Sequence, residues 1–277
     1  LTTYLPQESS VPRSGSFVRG LLVAGGVVLP SIASAQLPGY APTSGKYRVE
    51  TQIKIAQSMM GQTQEFDNAS KQLLSVVLAG GAPAMARTVV LDSMSSTSSA
   101  PGGAPDVSAL LGLKLIGKMA PTGLVTDEKA VDKAGTEPKT PIAQSLKTLF
   151  PRLRTGAKVG DSWVDTSTSK ANQNGIETTT TTVTTYTYAG DTTAAGGKAA
   201  KVTASAIAKV SGKGNAQGQD LALDGETKSS STHDVAPAGT YLGGSTSVEA
   251  ALNVTVEAMG MVIPITQKGT TKIERLP

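Results

Sequence analysis

The chain has 277 residues, a formal net charge of +4, no cysteine, one histidine and one tryptophan, and only 4% of it is aromatic. Without cysteine, disulfides, thiol nucleophiles, Cys/His zinc sites and Cys-linked flavin or haem are excluded, so stability has to come from core and sheet pairing. The small basic excess describes a soluble surface rather than a nucleic-acid binder, and six Tyr with one Trp cannot supply the two aromatic girdles of a transmembrane barrel.

In chain order, Arg19 precedes an uncharged run, Gly20 to Pro30, followed by Ser-Ile-Ala-Ser-Ala before Gln36. The run is shorter than the roughly 20 residues a membrane helix needs, so it reads as a secretory signal with Ala33 and Ala35 at the peptidase positions. Cleavage before Gln36 removes Glu8, Arg13 and Arg19, which lowers the net charge from +4 to +3. The protein is then secreted or periplasmic, with no transmembrane span. A start without Cys excludes lipid attachment there. Residues 36–45, rich in Pro, Gly and Ser, read as a flexible leader.

The β-rich domain is expected over 46–277, in halves of about 46–135 and 156–277. Lys46 to Gln57 alternates Tyr47, Val49, Thr51, Ile53 and Ile55 against Arg48, Glu50, Gln52 and Lys54, the period of a half-buried antiparallel strand. Gln62–Asp67, Leu73–Ala79 and Arg87–Ser93 read as further strands, the last two split by Gly80-Gly81-Ala82-Pro83. Ser95–Pro105 is a low-complexity loop and Asp106–Leu113 a short helix capped by Asp106. Leu115–Ala120 and Leu124–Asp127 are extended and 128–140 is loop.

One longer helix is expected at 141–153, where Ile142, Leu146, Leu149, Phe150 and Leu153 recur at spacings of three and four behind Thr140 and Pro141. Pro151 places its end near Phe150, and its apolar stripe should cover the sheet. Beyond Gly156 the pattern is β: Asp161–Ser167, Ile176–Tyr188, Ala199–Val210, Leu221–Leu223, Thr227–His233, Tyr241–Gly243, Val248–Ala258 and Ile263–Leu276. The Thr-rich run suits strands through its branched Cβ, and its lack of Pro argues against a glycosylated stalk. The turns Ala120-Pro121-Thr122-Gly123 and Ala236-Pro237-Ala238-Gly239 echo one another. Two duplicated meanders or chance would each account for the echo. The fold class is mainly β, a curved antiparallel sheet or open barrel with one covering helix.

Candidate chemistry is sparse. His233-Asp234 is the one place for a histidine acid–base, but Gly243-Gly244-Ser245 is not a nucleophile elbow and His233 ends a polar strand, which reads as a solvated residue. Asp161 and Asp165 flank Trp163, yet at four residues apart along a strand they sit roughly 13 Å from each other, too far for a glycosidase pair. The plainer reading makes Gly160-Asp161 a turn before a strand whose Trp fills the core. No glycine-rich stretch continues into a Lys-Ser/Thr phosphate loop, and Lys198, Lys201, Lys209 and Lys213 lack interleaved aromatics for stacking on bases. Catalytic residues, cofactors, metals and nucleic acid are therefore not expected. The face carrying Ala200, Val202, Ala204, Ala206, Ala208 and Val210 either leaves room for a ligand or packs closely under the helix. Phe150, Trp163, Ala204 and Ala206 are the candidate ligand-facing residues, for a lipid or other apolar small molecule. A cell-envelope protein is the other expected kind of partner, a surface or adhesion module the alternative function, and a hydrolase using Asp161, Asp165 or His233 the third.

Leu149-Phe150-Pro151-Arg152-Leu153 with Val159-Gly160-Asp161-Ser162-Trp163 resembles the centre of a family of uncharacterised exported bacterial proteins. The resemblance implies a curved antiparallel sheet in the style of lipoprotein carriers and lipocalins. It brings no activity and no catalytic residues. Many relatives begin with a lipidated Cys, which this chain lacks.

Overall fold

In the computed structural model, described for residues 36–277 apart from 60, 105, 133–145, 147–148, 174 and 217, one antiparallel sheet accounts for almost every element. Its strands are β1 (Thr43–Met59), β2 (Gln62–Ala79), β3 (Met85–Ser98), β4 (Lys114–Met119), β5 (Val125–Val131), β6 (Ser162–Gln173), β7 (Ile176–Ala194), β8 (Gly197–Ala216), β9 (Gln219–Val235), β10 (Tyr241–Val256) and β11 (Met261–Arg275). The sheet order is β5-β4-β3-β2-β1-β11-β10-β9-β8-β7-β6. Two meanders run from the edges inward, and β1 meets β11 in the middle, Tyr47 opposite Arg275 and Gln57 opposite Ile265. The sheet stays open, with β5 and β6 as its edges.

The strands are longer than local pattern suggests. Gln62–Asp67 and Leu73–Ala79 form one strand, as do Leu221–Leu223 with Thr227–His233 and Tyr241–Gly243 with Val248 onward. Polar stretches that look like breaks in sequence are still paired on both sides; Ser230, for instance, lies between Ser205 and Ser247. The ladder carries these strands through segments whose side chains give no burial signal. Among the described residues between β3 and β4, a single 3₁₀ turn, Ser108–Leu110, replaces the short helix expected at 106–113, with Asp106 Oδ1 accepting from the Ser108 amide at 2.9 Å.

Because side chains alternate along a strand, one face is fixed by register. Tyr47, Leu74, Leu91, Val202, His233 and Tyr241 lie on the core side, and their buried cluster sits at one end of the strands. Chain from outside the sheet fills that end. Leu37, Tyr40, Leu146, Leu149, Phe150, Leu153 and Ala157 are all buried in it. Strands from across the sheet grip the same segment: Arg87 of β3 bonds the Leu146 carbonyl, Tyr47 of β1 and Tyr241 of β10 meet Phe150, and the Trp163 indole of β6 donates to the Arg152 carbonyl at 3.2 Å. The sheet curls around it.

Two expectations need correcting here. The covering helix at 141–153 is not seen among the described residues: Leu146 alone is helical, 149–154 are irregular, and 141–145 and 147–148 lie outside the description. Leu146, Leu149, Phe150 and Leu153 do face the core, but carbonyls of the segment serve side chains from outside it. Leu146 O accepts from Arg87 as well as from the Leu149 amide at 3.4 Å, Pro151 O from the Tyr40 hydroxyl and Arg152 O from Trp163. The leader at 36–45 is built into the fold instead of trailing from it. Gln36 bridges Lys158, Leu37 exchanges backbone bonds with Gly156 and Ala157, and β1 begins at Thr43. The proposed signal segment, residues 1–35, lies outside the described residues.

The two echoed turns clasp this incoming strand. In each, the glycine N–H donates to the alanine three residues before it, at 2.8 Å, and that alanine's N–H donates onward to the residue after the glycine, again at 2.8 Å. Tyr40 N–H donates to Pro121 O at 2.7 Å in one turn and Ala41 N–H to Gly239 O at 3.2 Å in the other.

Candidate functional site

The filled end is held by a charged anchor that no local pattern announces. Arg87 is fully buried and pairs with Glu128, two strands away on β5. The strand between contributes Gly117 opposite Arg87, where an added Cβ would come within 3.1 Å of Glu128 Cα and Thr126 O. The missing side chain is the passage through which Arg87 reaches its partner. Its other terminal nitrogen donates to Leu146 O at 2.8 Å, and its carbon lies 5.9 Å from the Phe150 ring centre. Burial lowers the guanidinium pKa, and Glu128 opposes the shift. The anchor thus fixes Phe150, a candidate ligand-facing residue, inside a cage of Tyr40, Tyr47 and Tyr241. Phe150 is core filling.

Trp163 stacks on Tyr186 with ring centres 5.7 Å apart and is partly buried against the same core. Ala204 lies opposite Tyr186 and packs on the core, while Ala206 sits one row further out, opposite Thr184 and Ser229, and is half-buried. The four ligand-facing candidates therefore separate, with Phe150 and Trp163 at the filled end and Ala206 on the face beyond it.

His233 is not the solvated residue its polar strand suggested. It is 9% exposed, with Nδ1 3.1 Å from the Tyr241 hydroxyl and Nε2 2.9 Å from Ser231 Oγ. Burial pushes its pKa down to about 4, so at neutral pH the ring is uncharged. Gly244 opposite makes the room, since a Cβ there would lie 2.9 Å from Nδ1. Asp234 points to the other face, and its carboxyl is raised by burial while Lys201 lowers it. Asp161 lies in the turn before β6, its carboxylate accepting from the Lys158 amide at 3.0 Å, and Asp165 sits on β6 with Arg152 at 3.6 Å. These acids and the histidine serve three separate local structures. No group of three or more His, Cys, Asp or Glu suited to a metal occurs among the described residues.

Beyond the core, the two faces differ in charge. On β11, Lys268, Lys272 and Glu274 alternate with Ile263, Ile265, Gln267, Gly269, Thr271 and Ile273. On β9, Asp220, Asp224, Glu226, Lys228 and Asp234 alternate with Leu221, Leu223, Gly225, Thr227, Ser229 and Ser231. β1, β2 and β10 keep the same segregation, as do β7 and β8 beyond the end that carries Asp191 and Lys198, and register puts the uncharged sets on the core side. Among the described residues, the core-side face of these seven strands carries three charged side chains, all at the filled end: Arg275, which lies over Gly45 and donates to Ser44 O, Asp191, opposite Ala200 and accepting from the Tyr188 hydroxyl at 2.7 Å, and Lys198, two residues before Ala200. On the edge strand β6, Asp165 faces the same way and is paired with Arg152.

This uncharged face has two zones. Next to the core, one row reads Ala204, Ser231, Thr246, Thr271, Thr51 and Ser70 from β8 to β2, and the next reads Ala206, Ser229, Val248, Gly269, Ile53 and Asn68. Small hydroxyl and amide groups dominate this belt, and Thr51 and Thr271 share a hydrogen bond at 3.1 Å. Further out lie Leu252, Ile265, Leu223, Val254, Ile263 and Met261, apolar and mostly half-buried. A depression of about 750 Å³ crosses β2, β1, β11, β10 and β9, and a second of about 610 Å³ adjoins it at Gln52, Ser230, Ser247 and Thr270. Both are lined mostly from the charged face, the first by Gln52, Lys54, Asp67, Lys228, Glu249 and Lys268 among others, with Ile53, Asn68, Ser229, Val248 and Gly269 as its members from the uncharged set.

The segregation was readable from residue parity in β9 and β11, as it was in β1 and β8. The Arg87–Glu128 pair had no such signal, because its partners are 41 residues apart and meet only through the strand order.

No protein-family model matches the chain, and no curated protein matches it. Solved structures give distant likenesses only. A putative outer membrane lipoprotein-sorting protein domain from Vibrio parahaemolyticus is 9% identical over 83% of each chain, with a TM-score of 0.22. OccK2 (OpdF) of Pseudomonas aeruginosa is 9% identical over 87% of this chain and all of its own, at 0.25, and OccD3 (OpdP) of the same organism 9% identical over 88% and 94%, at 0.26. At such scores the resemblance is one of long antiparallel strands and carries no functional weight. No helix among the described residues is long and apolar enough to cross a membrane.

Proposed function

We propose that this is an exported, non-enzymatic β-sheet protein of the cell envelope that binds an apolar or amphipathic ligand on the uncharged core-side face of its sheet. The observation that carries the reading is the charge segregation of β9, β10, β11 and β1. A sheet face that stays in water tolerates Lys and Glu freely, as the opposite face does with Lys54, Lys268 and Glu249. A face that is covered excludes them, because burying an unpaired charge costs several kcal/mol. The core-side positions of β11 are half-buried at every step while their neighbours are exposed, which fits a face built to be covered. The small side chains of the belt leave height above the sheet for a ligand.

Native mass spectrometry of gently purified protein, with thermal melts in the presence of long-chain amphiphiles, tests the reading. Retained amphiphile and a raised melting temperature are expected. Val248→Lys on the uncharged face should abolish both, and Ser247→Lys on the opposite face should leave both intact. Equal behaviour of the two variants would count against the reading. A second reading, a surface or adhesion module, draws on the opposite face, where Ser162, Thr187, Thr203, Thr232 and Ser245 form one row of hydroxyls across five strands. Its mark would be a stable envelope partner whose capture is lost with Thr203→Lys and unaffected by Val248→Lys.

A further inference from the structure

Resting on the ligand-binding reading, we infer that the ligand is a non-ionic amphiphile, its uncharged polar head on the hydroxyl belt and its chain running along the strands to the apolar far end. The belt offers hydrogen-bonding groups of both kinds: Ser229, Ser231, Thr246 and Thr271 hydroxyls donate and accept, and the Asn68 amide does the same. Hydroxyl, ester and sugar groups match that inventory.

An anionic head would find no counter-charge. Core-side positions of β1, β2 and β7 to β11 within the belt carry no Lys or Arg. The nearest cations are committed elsewhere: Arg152 to Asp165, Arg87 to Glu128 and Leu146 O, and Arg275 to Ser44 O. His233, at the belt's inner margin, is uncharged and bonded through both ring nitrogens. A cationic head fares no better, since the single acid facing the belt, Asp165, lies on the edge strand with Arg152 beside it. A charged head placed here would lose water without gaining a partner.

The orientation follows from where the apolar surface remains open. At the core end Leu37, Tyr40 and Phe150 already occupy the interior. The free apolar side chains, Leu252, Ile265, Val254, Ile263 and Leu223, lie the other way. From Thr246 to Leu252 is six residues, roughly 20 Å of strand, which gives an extended chain a continuous bed.

Matched probes decide it: 1-monopalmitoylglycerol and palmitate at pH 8, which share a chain and differ in head charge, measured by native mass spectrometry and by displacement of a fluorescent amphiphile. Monopalmitoylglycerol should bind at least tenfold more tightly than palmitate. Thr246→Lys, which sets a cation in the belt, should reverse the order, with Ser229→Lys as an independent second variant and Ser247→Lys, on the other face, leaving the wild-type order unchanged. Palmitate binding as tightly as the neutral probe, or both belt variants folding and keeping the wild-type preference, would overturn the inference and leave the binding reading standing. If neither probe is retained by the wild-type protein, both fall together.

Discussion

Acidification should unfold this protein through His233 in a way a single substitution can isolate. The ring is buried between the Tyr241 hydroxyl and Ser231, and its pKa lies near 4 in the fold against 6.5 for an exposed histidine. Below pH 6.5 the unfolded chain takes up a proton that the folded chain refuses until about pH 4. This contribution to stability is therefore complete above 6.5 and is lost as the pH falls towards 4. At about 1.4 kcal/mol per pH unit the full loss is about 3.5 kcal/mol, most of it spent by pH 4.5. Urea unfolding of wild type and His233→Gln at pH 7.5 and 4.5 measures it. Wild type should lose about 2 to 3 kcal/mol more than the variant across that interval, and the comparison cancels the carboxylates common to both. Asp234, whose carboxyl is raised by burial, works in the opposite direction in both proteins. Identical pH dependence of the two would refute the argument that the buried ring stays neutral.

The charged anchor can be tested by Arg87→Met, which strips Glu128 of its guanidinium partner and Leu146 O of its donor. It should cost about 3–5 kcal/mol in urea unfolding, and Arg87→Met with Glu128→Leu should recover a large part. Phe150→Ala, by emptying the cage of three tyrosines, should cost about 3–5 kcal/mol by the same measurement. Two glycines with the same φ of +79° separate conformational cost from collision. Gly61→Ala meets open space and should lose about 1 kcal/mol. At Gly239 the new Cβ would lie 2.4 Å from Gly39 O, so Gly239→Ala should lower the melting temperature at least twice as far as Gly61→Ala.

Much of this architecture is written locally. Alternation of period two marked β1 and β8 and placed Ala204 and Ala206 on the core side, because a strand's own pleat decides which residues share a face. The paired Ala-Pro-x-Gly turns were equally legible, each closing on its own hydrogen bonds. The uncharged face is the sum of such local alternations, and it could have been read to the end of β11 from the even-numbered placement of Lys268, Lys272 and Glu274.

What the tertiary structure alone decided is where that pattern is overruled by distant partners. Spacing at 141–153 is helical, yet at 149–154 the chain is irregular, because Arg87, Tyr40 and Trp163 claim the carbonyls of Leu146, Pro151 and Arg152. His233 lies in a polar run and is nonetheless buried, because Tyr241 returns from the next strand to cover it. Strand order brings β3 to β5 across Gly117 and β1 to β11 across the length of the chain. Contacts of that range depend on which ladders form, a choice made by the whole sheet and absent from any one strand's sequence.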